Sequence, residues 1–140
     1  MLSYDNIYIR RVSRVLERNN VYMGKPTTAE IVAFLRNFKR LAQSNFIFIQ
    51  RKKNLDSISQ LGIKISQVKS IIMQLTYENY HKGPERDKDR KKGNIWEFGV
   101  IIDHEEVYVK LSDDFSHNIA KCISFHKAEF KISYPYKKGG

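Results

Sequence analysis

Apolar and polar positions alternate most regularly between Asn94 and Leu111, in the stretch NIWEFGVIIDHEEVYVKL. Trp96, Phe98, Val100 and Ile102 take every second place, a polar Asp103-His104-Glu105-Glu106 run follows, and Val107, Val109 and Leu111 alternate again. A period of two interrupted by a short polar run predicts a β-hairpin. Pleating sends successive side chains to opposite faces, so Tyr108 and Lys110 lie across the sheet from Val107, Val109 and Leu111. Glu97 likewise lies across from Trp96 and Phe98. One face of the hairpin therefore belongs to a core, and the other presents a carboxylate, a phenol and an ammonium.

Upstream the period becomes helical. Thr27-Thr28-Ala29-Glu30 has capping-box spacing, in which a hydroxyl and a carboxylate satisfy the free amides of a helix start. Ile31, Phe34, Leu35, Phe38, Leu41 and Ala42 then repeat at helical intervals, with Arg36, Lys39 and Arg40 on the wet side. Phe46 to Ile49 is short, aromatic and β-branched, which predicts a strand. Arg51-Lys52-Lys53 leads into a short helix carrying Leu55, Ile58 and Leu61, with Gly62 as its stop, and Val68, Ile71, Ile72 and Leu75 mark another. Tyr80-His81-Lys82-Gly83-Pro84 closes the helical half. Glu85 to Gly93 has no periodic apolar position and reads as a mobile solvated loop. Beyond the hairpin, Ile119, Ile123 and Phe125 share a face opposite Cys122, Ser124 and His126, a third strand. Helices first and strands last give an α+β class, N-terminal helices packed on a C-terminal, mainly antiparallel sheet. Tyr4, Tyr8, Val12, Val15 and Leu16 fit one side of a helix, but Asn19, Asn20, Gly24 and Pro26 break the chain after them. Residues 1–24 thus read as an N-terminal extension and 25–140 as a single domain.

Composition narrows the function classes. A chain of 140 residues suits one domain with one core. Its net charge of +10 favours a polyanionic partner, although basic surface also serves solubility. The one cysteine, Cys122, excludes an internal disulfide and fits a reducing compartment. His81, His104, His117 and His126 show no metal-ligand spacing. No apolar run approaches membrane-spanning length and the N-terminus has no signal-peptide core, so a cytoplasmic protein without membrane contact is expected.

With these segments in order, the chain resembles the MqsR-family toxins of bacterial type II toxin–antitoxin systems from about Thr27 to Lys137. The resemblance rests on FLRNFKR (Phe34 to Arg40), RKKNL (Arg51 to Leu55), LTYENYHKGPERD (Leu75 to Asp87), IWEFG (Ile95 to Gly99), VYVKL (Val107 to Leu111), and CISFHKAE followed by YPYK (Cys122 to Glu129, Tyr134 to Lys137). It implies a RelE-like fold, a metal-independent and sequence-selective mRNA endoribonuclease needing no cofactor, and a cognate antitoxin. The family's proposed active-site positions are matched here by Lys82, Glu97, Tyr108 and Lys110. Glu97 stands where well-described members carry Gln, and His126 where they carry Lys.

These residue types fit the chemistry. Cleavage of RNA without a metal needs a base for the 2′-OH, cations for the charged phosphorane and an acid for the departing 5′-oxygen. His126 has the side chain that titrates nearest neutrality, Glu97 is the other base or an orienting group, and Lys110 and Lys82 neutralise phosphate. Tyr108 stacks on a base or donates to phosphate. Arg86, Lys88, Arg90, Lys91 and Lys92, with Arg51 and Lys52, are the candidate grips on the RNA backbone. Each also has an ordinary reading as a solvated or locally satisfied surface residue. A non-catalytic nucleic-acid-binding module, or a cleft blocked by residues 1–24, remains open at this level.

Overall fold

The computed structural model describes residues 25–88 and 92–138, so the extension read from residues 1–24 lies outside them. Thr27 caps helix α1 (Thr28–Ala42) as its spacing predicts: its hydroxyl accepts from the Glu30 amide at 3.1 Å and its own amide donates to Glu30 Oε1 at 3.2 Å. Strand β1 (Phe46–Phe48), helix α2 (Lys52–Leu61) and helix α3 (Ile65–Met73) follow. Gly62 closes α2 in the left-handed conformation, φ 71°. A single 3-10 turn (Tyr77–Asn79) leads into β2 (Tyr80–Arg86), β3 (Asn94–Ile102), β4 (Glu105–Ser112) and β5 (Ala120–Lys127). The five strands form one sheet in the order β1-β5-β4-β3-β2, antiparallel except for the parallel β1–β5 pair. The class is α+β.

Parity in the hairpin is as the sequence predicts. Trp96, Phe98, Val107, Val109 and Leu111 are buried against α1, and Phe34 of that helix stacks flat on Trp96 with ring centroids 4.6 Å apart. The Trp96 indole N–H donates to Asp113 Oδ2 at 3.2 Å, and the Asn94 amide donates to Asp113 Oδ1 at 2.7 Å. Burial raises the pKa of Asp113 and these bonds to its charged form oppose the rise. The β3–β4 turn is tighter than the polar run implies: only Asp103 and His104 lie outside the strands, both at positive φ, as a two-residue hairpin turn requires.

Two expectations need correction. Residues 80–86 are an edge strand, not the end of the helical half followed by a loop, and Glu85 and Arg86 pair with Ile95 and Asn94. Gly83 and Pro84 imitate loop punctuation, but an edge strand spares the proline its missing N–H, and Gly83 meets a packing demand. Its φ is +104°, and a Cβ there would sit 2.5 Å from the Ile95 carbonyl oxygen. In β5, Cys122 faces the core with Phe125, because the register shifts between Lys110 opposite Ser124 and Leu111 opposite Cys122. That bulge takes up Ile123 and breaks the alternation read from the sequence.

Past Cys122, α2 takes over the free edge of β5 from β1. Asn54 acts as a short strand: its amide nitrogen donates to the carbonyls of Ile49 (2.8 Å) and Ile123 (2.9 Å), and its oxygen accepts from the Phe125 amide (3.1 Å). Ser57 accepts from the Lys127 amide one turn on. Asn54→Ala strands three backbone groups, and urea unfolding is expected to register a loss of about 2–4 kcal/mol. A loss near zero would mean that water replaces the amide.

Candidate active site on the sheet face away from the first helix

Pairing across the strands assembles a polar row on the face away from α1. Lys82 of β2 lies opposite Glu97 of β3, Glu97 opposite Lys110 of β4, and Lys110 opposite Ser124 of β5. Directly paired residues point to the same side of a sheet, so four strands contribute one side chain each. Arg51, the residue before α2, extends the row by donating from its guanidinium to the Ser124 hydroxyl. Glu97 Oε2 lies 3.5 Å from the Lys82 ammonium and Oε1 4.0 Å from that of Lys110. The carboxylate is only 4% exposed, against 49% for Lys82 and 36% for Lys110. It lies beneath two cations that face water. Burial raises its pKa, and the two ammonium groups pull it back down.

A second row lies one step along the strands. Gly99, Tyr108 and His126 are paired in order, and His81 joins them from the irregular part of β2. The Tyr108 ring is 5.5 Å from that of His126 and 6.2 Å from that of His81, and the Lys110 ammonium lies 5.5 Å from its centroid. Gly99 is bare because the Tyr134 hydroxyl occupies the space a Cβ would need. That hydroxyl donates to Glu106 Oε2 at 3.0 Å and fixes the segment after β5 across this end of the sheet.

His126, 9% exposed, is held in one tautomer. Its Nδ1 donates to the Lys127 carbonyl at 3.0 Å, since a carbonyl can only accept. In the neutral ring the lone pair is then on Nε2. Burial lowers the His126 pKa from 6.5, and the cations Lys53, Arg51 and Lys110 lower it further against that hydrogen bond. The imidazole is neutral at physiological pH.

The structure brings Lys82, Glu97, Lys110, Tyr108, His126 and Arg51 onto one face. Lys52 is engaged elsewhere, bonded to Asp56 at 2.6 Å one helical turn on, whereas Lys53 pairs with Glu129 close to His126. Successive helical residues point about 100° apart, so the Arg51-Lys52-Lys53 triplet cannot address the site as a block. Arg86 pairs with Asn94, which shares the parity of Trp96, so β2 places Glu85 on the site face in its stead. Lys88 and Lys92 are exposed where the chain passes from β2 to β3, and Arg90 and Lys91 lie outside the described residues. Sequence reasoning passed over His81 and Lys53. His81 belongs to a strand that looked like a loop, while the partner that draws Lys53 to the site, Glu129, is distant in sequence.

Fold and site together define an α+β domain with a cation-lined, aromatic-floored site on the sheet face away from α1, where the lysines reach water and Tyr108 and His126 are largely buried. Comparison of the chain with protein-family models, curated proteins and solved structures finds no match. Among the described residues, no helix is long and apolar enough to cross a membrane.

Proposed function

We propose that this protein is a metal-independent, sequence-selective mRNA endoribonuclease, the toxin of a type II toxin–antitoxin system with an MqsR-like, RelE-type fold. It acts in the cytoplasm, and a cognate antitoxin holds it inactive. The observation that carries this reading is the convergence of Lys110, Tyr108 and His126 on one sheet face, with Lys82 and Arg51 beside them.

His126 Nε2 takes the proton of the 2′-OH as that oxygen attacks phosphorus. Lys110, Lys82 and Arg51 stabilise the charge that builds on the phosphorane oxygens, and a proton returned to the 5′-oxygen releases the downstream strand. The products are a 2′,3′-cyclic phosphate and a 5′-hydroxyl. Tyr108 holds the nucleotide next to the scissile linkage, and Glu97 spaces the two lysines. Incubation of the purified protein with a defined RNA in EDTA, followed by end mapping, tests the reading. Discrete ends of that chemistry are expected; an intact RNA would leave a basic binding module instead.

The division of labour between the two candidate bases has its own test. Glu97→Gln keeps the shape and removes a charge that offsets two cations, so cleavage at or above the parental rate is expected. A base lost at this position would instead cost about a hundredfold or more.

A further inference from the structure

Phe130 stands just past β5 and is 60% exposed, one of the few large apolar side chains left in water among the described residues. Its ring makes a T-shaped contact with Tyr108, centroids 6.2 Å apart and planes at 62°, which anchors it while most of its surface stays in water. A cleft of about 370 Å³ opens beside it, lined by Glu105, Lys127, Glu129 and Lys131 among others. Two of its carboxylates are held in ion pairs, Glu105 with Lys127 at 3.0 Å and Glu129 with Lys53. Neither contributes an unbalanced negative charge.

We propose that Phe130 is a stacking shelf for an unpaired nucleobase of the strand whose phosphates lie on the cation row, which makes the ligand single-stranded rather than duplex nucleic acid. The proposal rests on the nuclease reading and adds to it a base-binding subsite. Cations that track a backbone, with an exposed ring beside them that accepts a base face, are the combination that single strands require. A duplex keeps its bases stacked on one another and has none to offer. The ring is placed for this through Tyr108, which contacts both Phe130 and His126. A base seated on Phe130 would therefore belong to a nucleotide adjoining the phosphate beside His126. The ion pairs of Lys127 and Lys53 border the shelf, and the cleft's third carboxylate, Glu106, is matched in charge by Lys131, which leaves the shelf close to neutral, as a base face prefers.

The test measures binding of a fluorescently labelled, fully 2′-deoxy single strand of mixed sequence to the full chain by anisotropy, with the matching duplex beside it. Phe130→Ala is expected to weaken strand binding about 5- to 150-fold, and Phe130→Trp to preserve or tighten it. Binding of the duplex is expected to be weaker and indifferent to both changes. Because the ring is exposed, neither substitution is expected to move the unfolding midpoint, which thermal melting checks. Equal strand binding by the parent and Phe130→Ala would overturn the proposal and reassign the ring to a protein partner. Tryptophan weakening the complex as much as alanine would overturn it too. The 2′-deoxy strand cannot be cut by 2′-OH attack, so this outcome is separate from cleavage. Phe130-dependent binding without any RNA cutting would sink the enzyme and spare the shelf, and RNA cutting without Phe130 dependence would do the reverse.

Discussion

Replacing Lys110 and His126 together by alanine is expected, on the proposed mechanism, to lower RNA cleavage by about a thousandfold or more, because it removes the proposed proton acceptor and one of the proposed phosphate-facing cations. Each single change should cost nearly as much as the pair, since groups that act on one transition state are not additive. Both side chains lie on the face away from α1 and contribute nothing to its apolar core, so far-UV circular dichroism should be unchanged. The pH profile supplies an independent reading. Burial and three cations lower the His126 pKa, so the rate should rise with pH through a midpoint below 6.5 and level off above it. The sign follows from which form is favoured: the folded protein holds the neutral ring, so both the base and this share of stability are present above 6.5 and are lost as pH falls. An acidic limb that survives in His126→Ala would assign the titration to another group.

The second large effect is on the fold. Trp96→Ala is expected to destabilise the protein by about 4 kcal/mol or more, because it opens a large cavity under α1 and removes a donor from the buried Asp113 carboxylate. Phe34 would lose the ring on which it stacks at 4.6 Å. Trp96→Phe keeps an aromatic face for Phe34 and loses the indole N–H to Asp113, so a cost of about 1–2 kcal/mol is expected. Since Trp96 is the only tryptophan, unfolding must be followed by circular dichroism rather than by indole fluorescence. Equal midpoints for Trp96→Phe and Trp96→Ala would mean that the hydrogen bond matters and the stack does not.

How much of this was legible in the sequence depended on whether a local rule governed the position. The capping box at Thr27 and Glu30 and the alternation from Trp96 to Leu111 are satisfied within one element, and both appear where the pattern puts them. The face shared by Glu97, Tyr108 and Lys110 follows from pleat parity alone. Strand β2 did not, because its glycine answers to Ile95 on the neighbouring strand and its proline is tolerated only because the strand lies at the sheet edge. The side on which Cys122 falls was hidden for a similar reason: a bulge arises from register against β4, and no residue in β5 announces it. Asn54 is the plainest case. A polar residue in an amphipathic helix reads as solvent-facing until the edge of β5, which its amide completes, is known.

That edge determines when the site comes into existence. Arg51 and Lys53 stand at the start of α2, Lys82 on β2, Lys110 on β4, and Ser124 and His126 on β5, so no segment shorter than residues 51–126 holds the site together. Such distant pairings form late in folding. On the nuclease reading, a nascent chain that has cleared the ribosome only as far as β4 therefore carries its lysines without its imidazole, and becomes able to act on RNA only once β5 has paired.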